Sequence, residues 1–232
     1  MNRIARALPL LLAIPLWGQD TPAFEPEPAS EYLCHLTQAG VAVAAEPYDE
    51  TQKARTAFGR VDPNQFGFLP ILVVISNDTE HILDVSALRV QLVTAAGRAI
   101  DPTPADKLAY YRPTGRWGRI GPPIRIGPPW GESRPQPLAH WEIVARAFRA
   151  EFVSPRSFAS GFFYFESPPG GDGVAGAKLY LRGFKDLPSG KELMYYEIDL
   201  SPYARQSRGE RTNQSRFREI SSSNPVPATP RD

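Results

Sequence analysis

The amino-acid sequence predicts a mainly β fold, a single β-sandwich of six to seven strands with one or two short helices. Residues 71–75 and 88–93 are apolar runs rich in the β-branched residues that favour strands, and turn-forming residues 76–78 follow the first run. In the second run Arg89 and Gln91 alternate with apolar neighbours, so one face is expected in a core and the other in water. The 25 prolines of this 232-residue chain disfavour long helices.

The N-terminal residues have the layout of an export signal. Arg3 and Arg6 precede an apolar run over residues 7–17, like the charged and apolar regions of a signal peptide. The run is about half of the roughly 20 apolar residues that span a bilayer, so no membrane span is expected. We expect residues 1–18 to be a signal peptide, or alternatively an uncleaved anchor, and the protein to be periplasmic or extracellular.

The first half of the chain leads from a proline-rich segment into a domain. Residues 19–31 are acidic and rich in proline, which indicates an extended leader ahead of a domain over residues 32–202. Residues 40–46 predict the first strand. Residues 48–58 predict a short helix with Asp49 as its N-cap. Ordered structure is therefore expected to begin with the domain and not with the leader.

The second half supplies the remaining elements. Residues 138–151 fit an amphipathic helix, and a strand over residues 147–152 fits the alternation of the same segment, so both remain open. A short helical turn is predicted near residues 101–104, and residues 203–232, with few apolar side chains, predict a disordered tail. The other predicted strands are residues 161–166, 177–184 and 193–200, the last two forming a hairpin with its turn at residues 188–190.

Four consecutive aromatic residues, 162–165, stand out in the strand at residues 161–166. Side chains alternate between the faces of a strand, so an odd–even pattern of burial is expected, with Phe163 or its neighbours in the core. An exposed platform that stacks a sugar or a peptide is the alternative.

The motifs that commonly signal catalysis lack their required context. Gly171, Gly173 and Gly176 have the G-x-G-x-x-G spacing, but a strand and not a helix is predicted to follow them, so no dinucleotide cofactor is expected. The following residues also lack a recognisable motif: His35, His81 and His140 for a metal, and Ser86, Ser160 and Ser189 for a nucleophile. Asp84, Glu166 and Asp199 become an acid–base pair only if the fold brings them together.

Two further features carry little chemistry. Cys34 is the only cysteine, which excludes an intrachain disulfide and favours a buried, inert thiol over an intermolecular disulfide or a reactive site. The N-x-S/T sequences at Asn77 and Asn213 are frequent by chance and receive no functional weight. The formal net charge of +1 gives the whole protein no electrostatic case for binding nucleic acid.

The strongest candidate for partner binding is a loop rich in Pro, Gly and Arg at residues 112–137, which contains RIGPP twice. Arginine and tryptophan are enriched at binding hot spots, and a chain stiffened by proline loses less entropy when it docks. A solvated loop without a partner is the alternative. The candidate partner-binding residues are Arg112, Arg116, Trp117, Arg119, Arg125 and Trp130.

Several segments also carry a resemblance. GVAVAAEPYDETQKARTAFG, FLPILVVISNDT, AFRAEFVSPRSFASGFFYFE and ELMYYEIDL resemble a group of uncharacterised exported bacterial proteins with an immunoglobulin-like β-sandwich, over most of residues 39–200. The resemblance implies a compartment and a fold, and it brings no catalytic residues. The resulting hypothesis is an exported, non-enzymatic binding or structural module of the cell envelope, with an unidentified protein or envelope polymer as partner. An enzyme whose site is assembled only in space is the alternative.

Overall fold

The computed structural model describes residues 24–108, 138, 141–167, 174–193 and 195–206, and over these residues it is mainly β, with three antiparallel sheets and few helices. The expected signal peptide, the loop at residues 112–137 and residues 207–232 of the expected tail lie outside the described residues. The strands are β1 (His35–Gln38), β2 (Val41–Pro47), β3 (Phe68–Asn77), β4 (Leu83–Asp84), β5 (Arg89–Val93), β6 (Ala99–Ile100), β7 (Phe152–Val153), β8 (Ser157–Glu166), β9 (Lys178–Arg182), β10 (Lys185–Asp186) and β11 (Tyr196–Asp199). The helices are α1 (Thr51–Phe58), α2 (Ala105–Leu108) and α3 (Trp141–Ala145), with 3-10 turns at Ala29–Glu31 and Pro63–Phe66.

Two four-stranded sheets form the centre of the structure. Sheet I has the strand order β1-β2-β3-β8, and sheet II has the order β11-β9-β5-β6. Apolar side chains of both sheets belong to one core cluster, including Ile71 and Ile75 of sheet I and Val90, Leu92 and Leu179 of sheet II. The two sheets therefore face each other across this core, while a small sheet, β10-β4-β7, is formed by two-residue strands.

The central strand of sheet I, β3, is buried on both faces, which differs from the half-buried surface that the sequence predicts for residues 71–75. All ten residues of β3 are buried. Alternate residues such as Leu72 and Val74 belong to a second cluster with Ala54 and Phe58 of α1 and Ile143 of α3. The helices thus form a layer over the outer face of sheet I. A continuous apolar run, in contrast to an alternating one, is the pattern of a strand covered on both faces.

The aromatic strand shows the same effect, so the expected odd–even pattern is wrong. Phe162 and Tyr164 are each 1% exposed and lie in the second cluster, whereas Phe165 is fully buried between the sheets. Phe163 is the partly exposed ring. Beside them, a Cβ at Gly161 would lie 2.4 Å from the Cα of Phe148, so only glycine permits residues 146–148 to cross β8 this closely.

Residues 24–31 of the leader are part of the folded structure, which corrects the expectation that order begins near residue 32. The ring of Phe24 lies 5.4 Å from that of Phe162, and the Arg146 guanidinium lies 4.7 Å from the centroid of the Phe24 ring. Ala29 is fully buried, and its N–H donates to the buried Ser76 Oγ at 2.9 Å. These contacts bind the leader to sheet I and its helical layer.

Both predicted helices are shorter than expected. In α1 the N-cap position is held by Glu50 and not by Asp49, and Glu50 makes no capping hydrogen bond with its side chain. The segment at residues 138–151 forms only the five-residue helix α3, in which Ile143 is buried and Trp141 is 70% exposed. The later residues of this segment run along β8 in extended form, and the Phe148 N–H donates to the carbonyl of Phe162.

The C-terminal elements follow the prediction except at the end of the domain. Strands β9 and β11 pair antiparallel with Tyr196 opposite Leu181, as expected of the closing hairpin. Residues 201–206 are helical, and Tyr203 is 8% exposed in the core between the sheets. The ordered part of the chain therefore extends past residue 203, where the tail was expected to begin.

Candidate binding groove beside strand β5

A groove of about 750 Å³ runs over the outer face of sheet II and around one edge of β5. Because side chains alternate along a strand, Arg89 and Gln91 of β5 and Tyr180 and Arg182 of β9 point to this outer face, opposite to the buried Val90 and Leu181. Phe163 of β8 lines the groove from the other sheet. The groove thus combines cationic, aromatic and apolar surfaces.

Its cationic part is a pair of arginines placed directly opposite each other. The register of β5 and β9 puts Arg89 opposite Arg182, and both side chains are exposed. Like charges at directly opposite positions destabilise a pair of strands. In the part of the chain that the structure describes, neither guanidinium has an ion pair or a side-chain hydrogen bond. Among the described residues the pair therefore has no anionic partner, which makes it a candidate position for an anion.

The nearby carboxylates are engaged elsewhere. Glu197 accepts from Lys178 and from the Tyr180 hydroxyl, and these bonds lower the pKa of its carboxyl below the ordinary value. Asp101 accepts from Gln91 Nε2 at 3.0 Å. Each of these carboxylates therefore has hydrogen-bonding partners other than the arginine pair.

Aromatic side chains provide flat surface on both sides of the pair. Tyr180 and Tyr195 stack with ring centroids 6.4 Å apart, and Tyr195 is 54% exposed. Phe163 stacks on Phe148 at 5.4 Å, which fixes the ring that reaches the groove. Tyrosine and phenylalanine in such positions contribute contact area at little cost in conformational entropy.

The edge of β5 in the groove is only partly covered by β6. The two strands are joined by a turn in which Thr94 N–H donates to Arg98 and Gly97 has a φ of 75°, and they pair only at Leu92–Ile100 and Val93–Ala99. Beyond this, Pro102 has no N–H to donate, and Thr103 leaves to pair with Tyr164 of β8. Within the described residues, the stretch of β5 before Leu92 therefore has an open edge.

A smaller pocket of about 210 Å³ is lined by His81 and Asp186, which with Ser189 form the arrangement that most resembles a catalytic site. His81 Nδ1 lies 3.1 Å from Asp186 Oδ1, and the Ser189 hydroxyl donates to the other oxygen of the same carboxylate. A nucleophilic triad needs the histidine between the serine and the acid, so that it can take the serine's proton. Here Asp186 lies between His81 and Ser189. It links the two loops that carry these residues, and no histidine in the described part of the chain is placed to take the proton of Ser189.

The other chemical candidates that lie in the described residues are not assembled into a site. The carboxylates of Asp84 and Asp199 accept from the nearby Ser86 and Ser201, which lowers the pKa of both acids, and Glu166 lies opposite Phe68 at the end of sheet I. His35 contacts the carbonyl of Tyr32. Among the described residues no group of His, Cys, Asp or Glu has a metal-binding arrangement.

Cys34 is buried, as predicted, and burial raises the pKa of its thiol to about 11, which keeps it protonated. The strand β9 follows Gly176, as predicted, while Gly171, Gly173 and His140 lie outside the described residues. All six candidate partner-binding residues, Arg112, Arg116, Trp117, Arg119, Arg125 and Trp130, also lie outside them.

Sequence reasoning missed the groove. Arg89 was visible in the alternation of β5, but Arg182, Tyr195 and Phe163 come from distant parts of the chain, and only the strand register brings them together. None of the helices that the structure describes is long and apolar enough to cross a membrane. Comparisons with protein-family models, curated proteins and solved structures found no match to this chain.

Proposed function

We propose that this protein is an exported, non-enzymatic binding module of the bacterial cell envelope, built on an immunoglobulin-like β-sandwich, and that its groove beside β5 binds an anionic partner. The observation that carries the proposal is the cross-strand pair Arg89 and Arg182, for which the described part of the chain supplies no ion-pair partner. The layout of residues 1–18 and the resemblance over residues 39–200 support the compartment. Two sheets that share one core support the sandwich.

The two arginines repel each other across the neighbouring strands β5 and β9. A cross-strand pair of like charge weakens the sheet by an amount on the order of 0.2–1 kcal/mol. An anion bound between the two guanidinium groups turns this unfavourable electrostatic contribution into a favourable one. Each guanidinium can bind a carboxylate, phosphate or sulfate group through two parallel hydrogen bonds. Tyr180 and Tyr195 then supply the contact area that a charge pair alone lacks.

An enzymatic function is not favoured by the geometry of the smaller pocket, because Asp186 separates Ser189 from His81. A function in binding nucleic acid is not favoured by the net charge of +1. The partner is instead an envelope protein or polymer that carries anionic groups.

The test is binding of the purified protein to isolated cell envelopes over a range of salt concentrations. Three proteins are compared: the wild type, Arg89→Glu/Arg182→Glu, and the control Arg55→Glu/Arg60→Glu, which makes the same change of charge at exposed residues in and beside α1. We expect salt-sensitive binding that the groove variant loses by tenfold or more and the control keeps. Equal binding by all three proteins, or no binding at low salt, would reject the proposal.

A further inference from the structure

We infer that the groove beside β5 takes an extended peptide segment with an acidic residue, and that this segment adds to the open edge of β5 as an extra strand. The inference rests on the binding function proposed above and names the chemistry of its partner. Two independent features lead to it. One is the edge of β5 on the β6 side, where main-chain groups before Leu92 have no strand partner among the described residues. The other is the charge of the arginine pair.

The main chain of β5 offers hydrogen-bonding groups to a further strand. In an antiparallel ladder, alternate residues direct their N–H and C=O groups to the same neighbour. Since Thr94 donates to Arg98 and Leu92 lies opposite Ile100, the next residue that points to the β6 side is Val90. The pairing with β6 ends at Ile100 and does not continue to Val90, and Val90 and Pro102 both line the groove instead. Among the described residues, no backbone hydrogen bond is formed on this side of Val90.

The length of the open edge limits the segment that it can bind. Leu88 N–H donates to the carbonyl of Val85 at 3.0 Å, which closes the edge at one end, and β6 closes it at Leu92. Residues 88–91 remain, a length of about 13 Å at the rise of a strand. The site therefore fits about four residues of an extended peptide, with the carbonyl of Leu88 and both main-chain groups of Val90 as its hydrogen-bonding partners.

The side chains beside the edge predict the sequence that would bind. Peptide residues opposite Leu88 and Val90 point inward, toward the core side and Phe163, and should be apolar. The residue between them points to the outer face beside Arg89, with Arg182 on the next strand, and should be Asp or Glu. The expected pattern is apolar–acidic–apolar.

Other occupants fit these features less well. An anionic polysaccharide could satisfy the arginines, but it has no alternating N–H and C=O groups for Val90. The loop of this chain at residues 112–137 contains five arginines and one acid, Glu132, so its charge has the same sign as that of the groove. An acidic peptide from a partner protein satisfies both the charge and the open edge.

The experiment uses a blocked peptide, acetyl-Thr-Val-Glu-Val-Thr-amide, and the full-length protein labelled with ¹⁵N. We expect the peptide to shift the amide resonance of Val90, and exchange of Glu for Lys in the peptide or the Arg89→Glu/Arg182→Glu variant to weaken binding about tenfold or more. N-methylation tests the strand pairing. In an antiparallel arrangement the two valines donate to β5 and the glutamate N–H points away, so methylating either valine should weaken binding about tenfold while methylating the glutamate changes little.

The outcomes separate the inference from the proposed function. Equal effects at all three methylated positions, or none at the valines, would overturn the added strand. Binding of dextran sulfate to the groove without binding of any peptide would overturn it in favour of a polysaccharide. Either result is compatible with envelope binding that depends on Arg89 and Arg182, whereas loss of that dependence would reject the proposed function itself.

Discussion

At the scale of single residues, the pair of Arg89 and Arg182 carries the proposed binding function. The same pair leads to a prediction about stability. Replacing Arg89 by Glu turns a repulsive cross-strand pair into an attractive one. We expect Arg89→Glu to raise the free energy of unfolding by up to about 1 kcal/mol, although it removes half of the proposed anion site. Urea unfolding at low ionic strength measures this, and added salt should reduce the gain.

The control for this prediction is a double-mutant cycle. Arg182→Glu should stabilise the protein in the same way, whereas Arg89→Glu/Arg182→Glu restores a pair of like charges and should return close to the wild type. Additive gains in the double variant would contradict a direct interaction between the two side chains. A single variant that is more stable and yet binds envelopes less well would indicate that the arginines are kept for binding.

Asn77 shows what a sequence can tell about a residue and what it cannot. A turn was predicted at residues 76–78, but Asn77 is the last residue of β3, and its side chain accepts from the N–H and hydroxyl of Thr79 just after the strand. Its amide also donates to the carbonyls of His81 and Val153, and Asn77 is fully buried. The contact with Val153 spans 76 residues, so no local pattern reveals it. Its N-x-T sequence is thus accounted for by hydrogen bonding within the fold.

At the scale of elements, strands with a strong apolar pattern were predictable and very short ones were not. The strands β5, β9 and β11 lie within segments that the sequence predicts, and β2, β3 and β8 overlap their predicted segments but extend beyond them. The two-residue strands β4, β6, β7 and β10 have too few residues to show any period, and they are strands only because a neighbour binds them. The packing of the helices on sheet I was not predicted. The alternation of residues along a strand shows that a face is apolar, but it does not show which element covers that face.

The helical segment at residues 201–206 yields a prediction about the end of the domain. Tyr203 lies in the core, and the Lys53 ammonium is 5.0 Å from the centroid of its ring. We expect a chain that ends at Pro202 to lose about 3 kcal/mol of stability, since a buried aromatic ring is removed. A chain that ends at Gln206 should unfold like the full-length protein, because residues 207–232 contain few apolar side chains to bury.

Denaturant unfolding of the two truncated chains measures the difference, and Tyr203→Ala in the full-length protein is the matched control. If this substitution reproduces most of the loss, the ring and not the length of the chain stabilises the core. Equal stability of both truncated chains would contradict the docking of Tyr203. A marked loss on ending at Gln206 would instead assign a structural role to residues beyond it.

For the whole molecule, fold class was predictable and the groove was not. Alternation and proline content indicated a mainly β domain, because these features act locally along the chain. The groove requires that β5 lie beside β9 and that Phe163 reach it from the other sheet, contacts that span 70 residues or more. Such contacts depend on strand order, and a single sequence does not specify strand order.

The sequence nevertheless proposes a second binding region, the loop at residues 112–137, which leads to a prediction for the molecule as a whole. Trp117 and Trp130 supply flat apolar area among five arginines. We expect Trp117→Ala/Trp130→Ala to weaken binding to envelopes about tenfold without changing the melting temperature. Trp141→Ala is the matched control, because Trp141 is 70% exposed on α3 and outside that loop.

Combining the loop variant with Arg89→Glu/Arg182→Glu tests whether both regions contact one partner. If they do, each region raises the effective concentration of the other, and the combined variant should bind far more weakly than either alone. Both regions are cationic, so the remaining binding should fall further as salt is added. Envelope binding by Trp117→Ala/Trp130→Ala equal to that of the wild type would show that the loop takes no part, and the groove beside β5 would then account for the binding by itself.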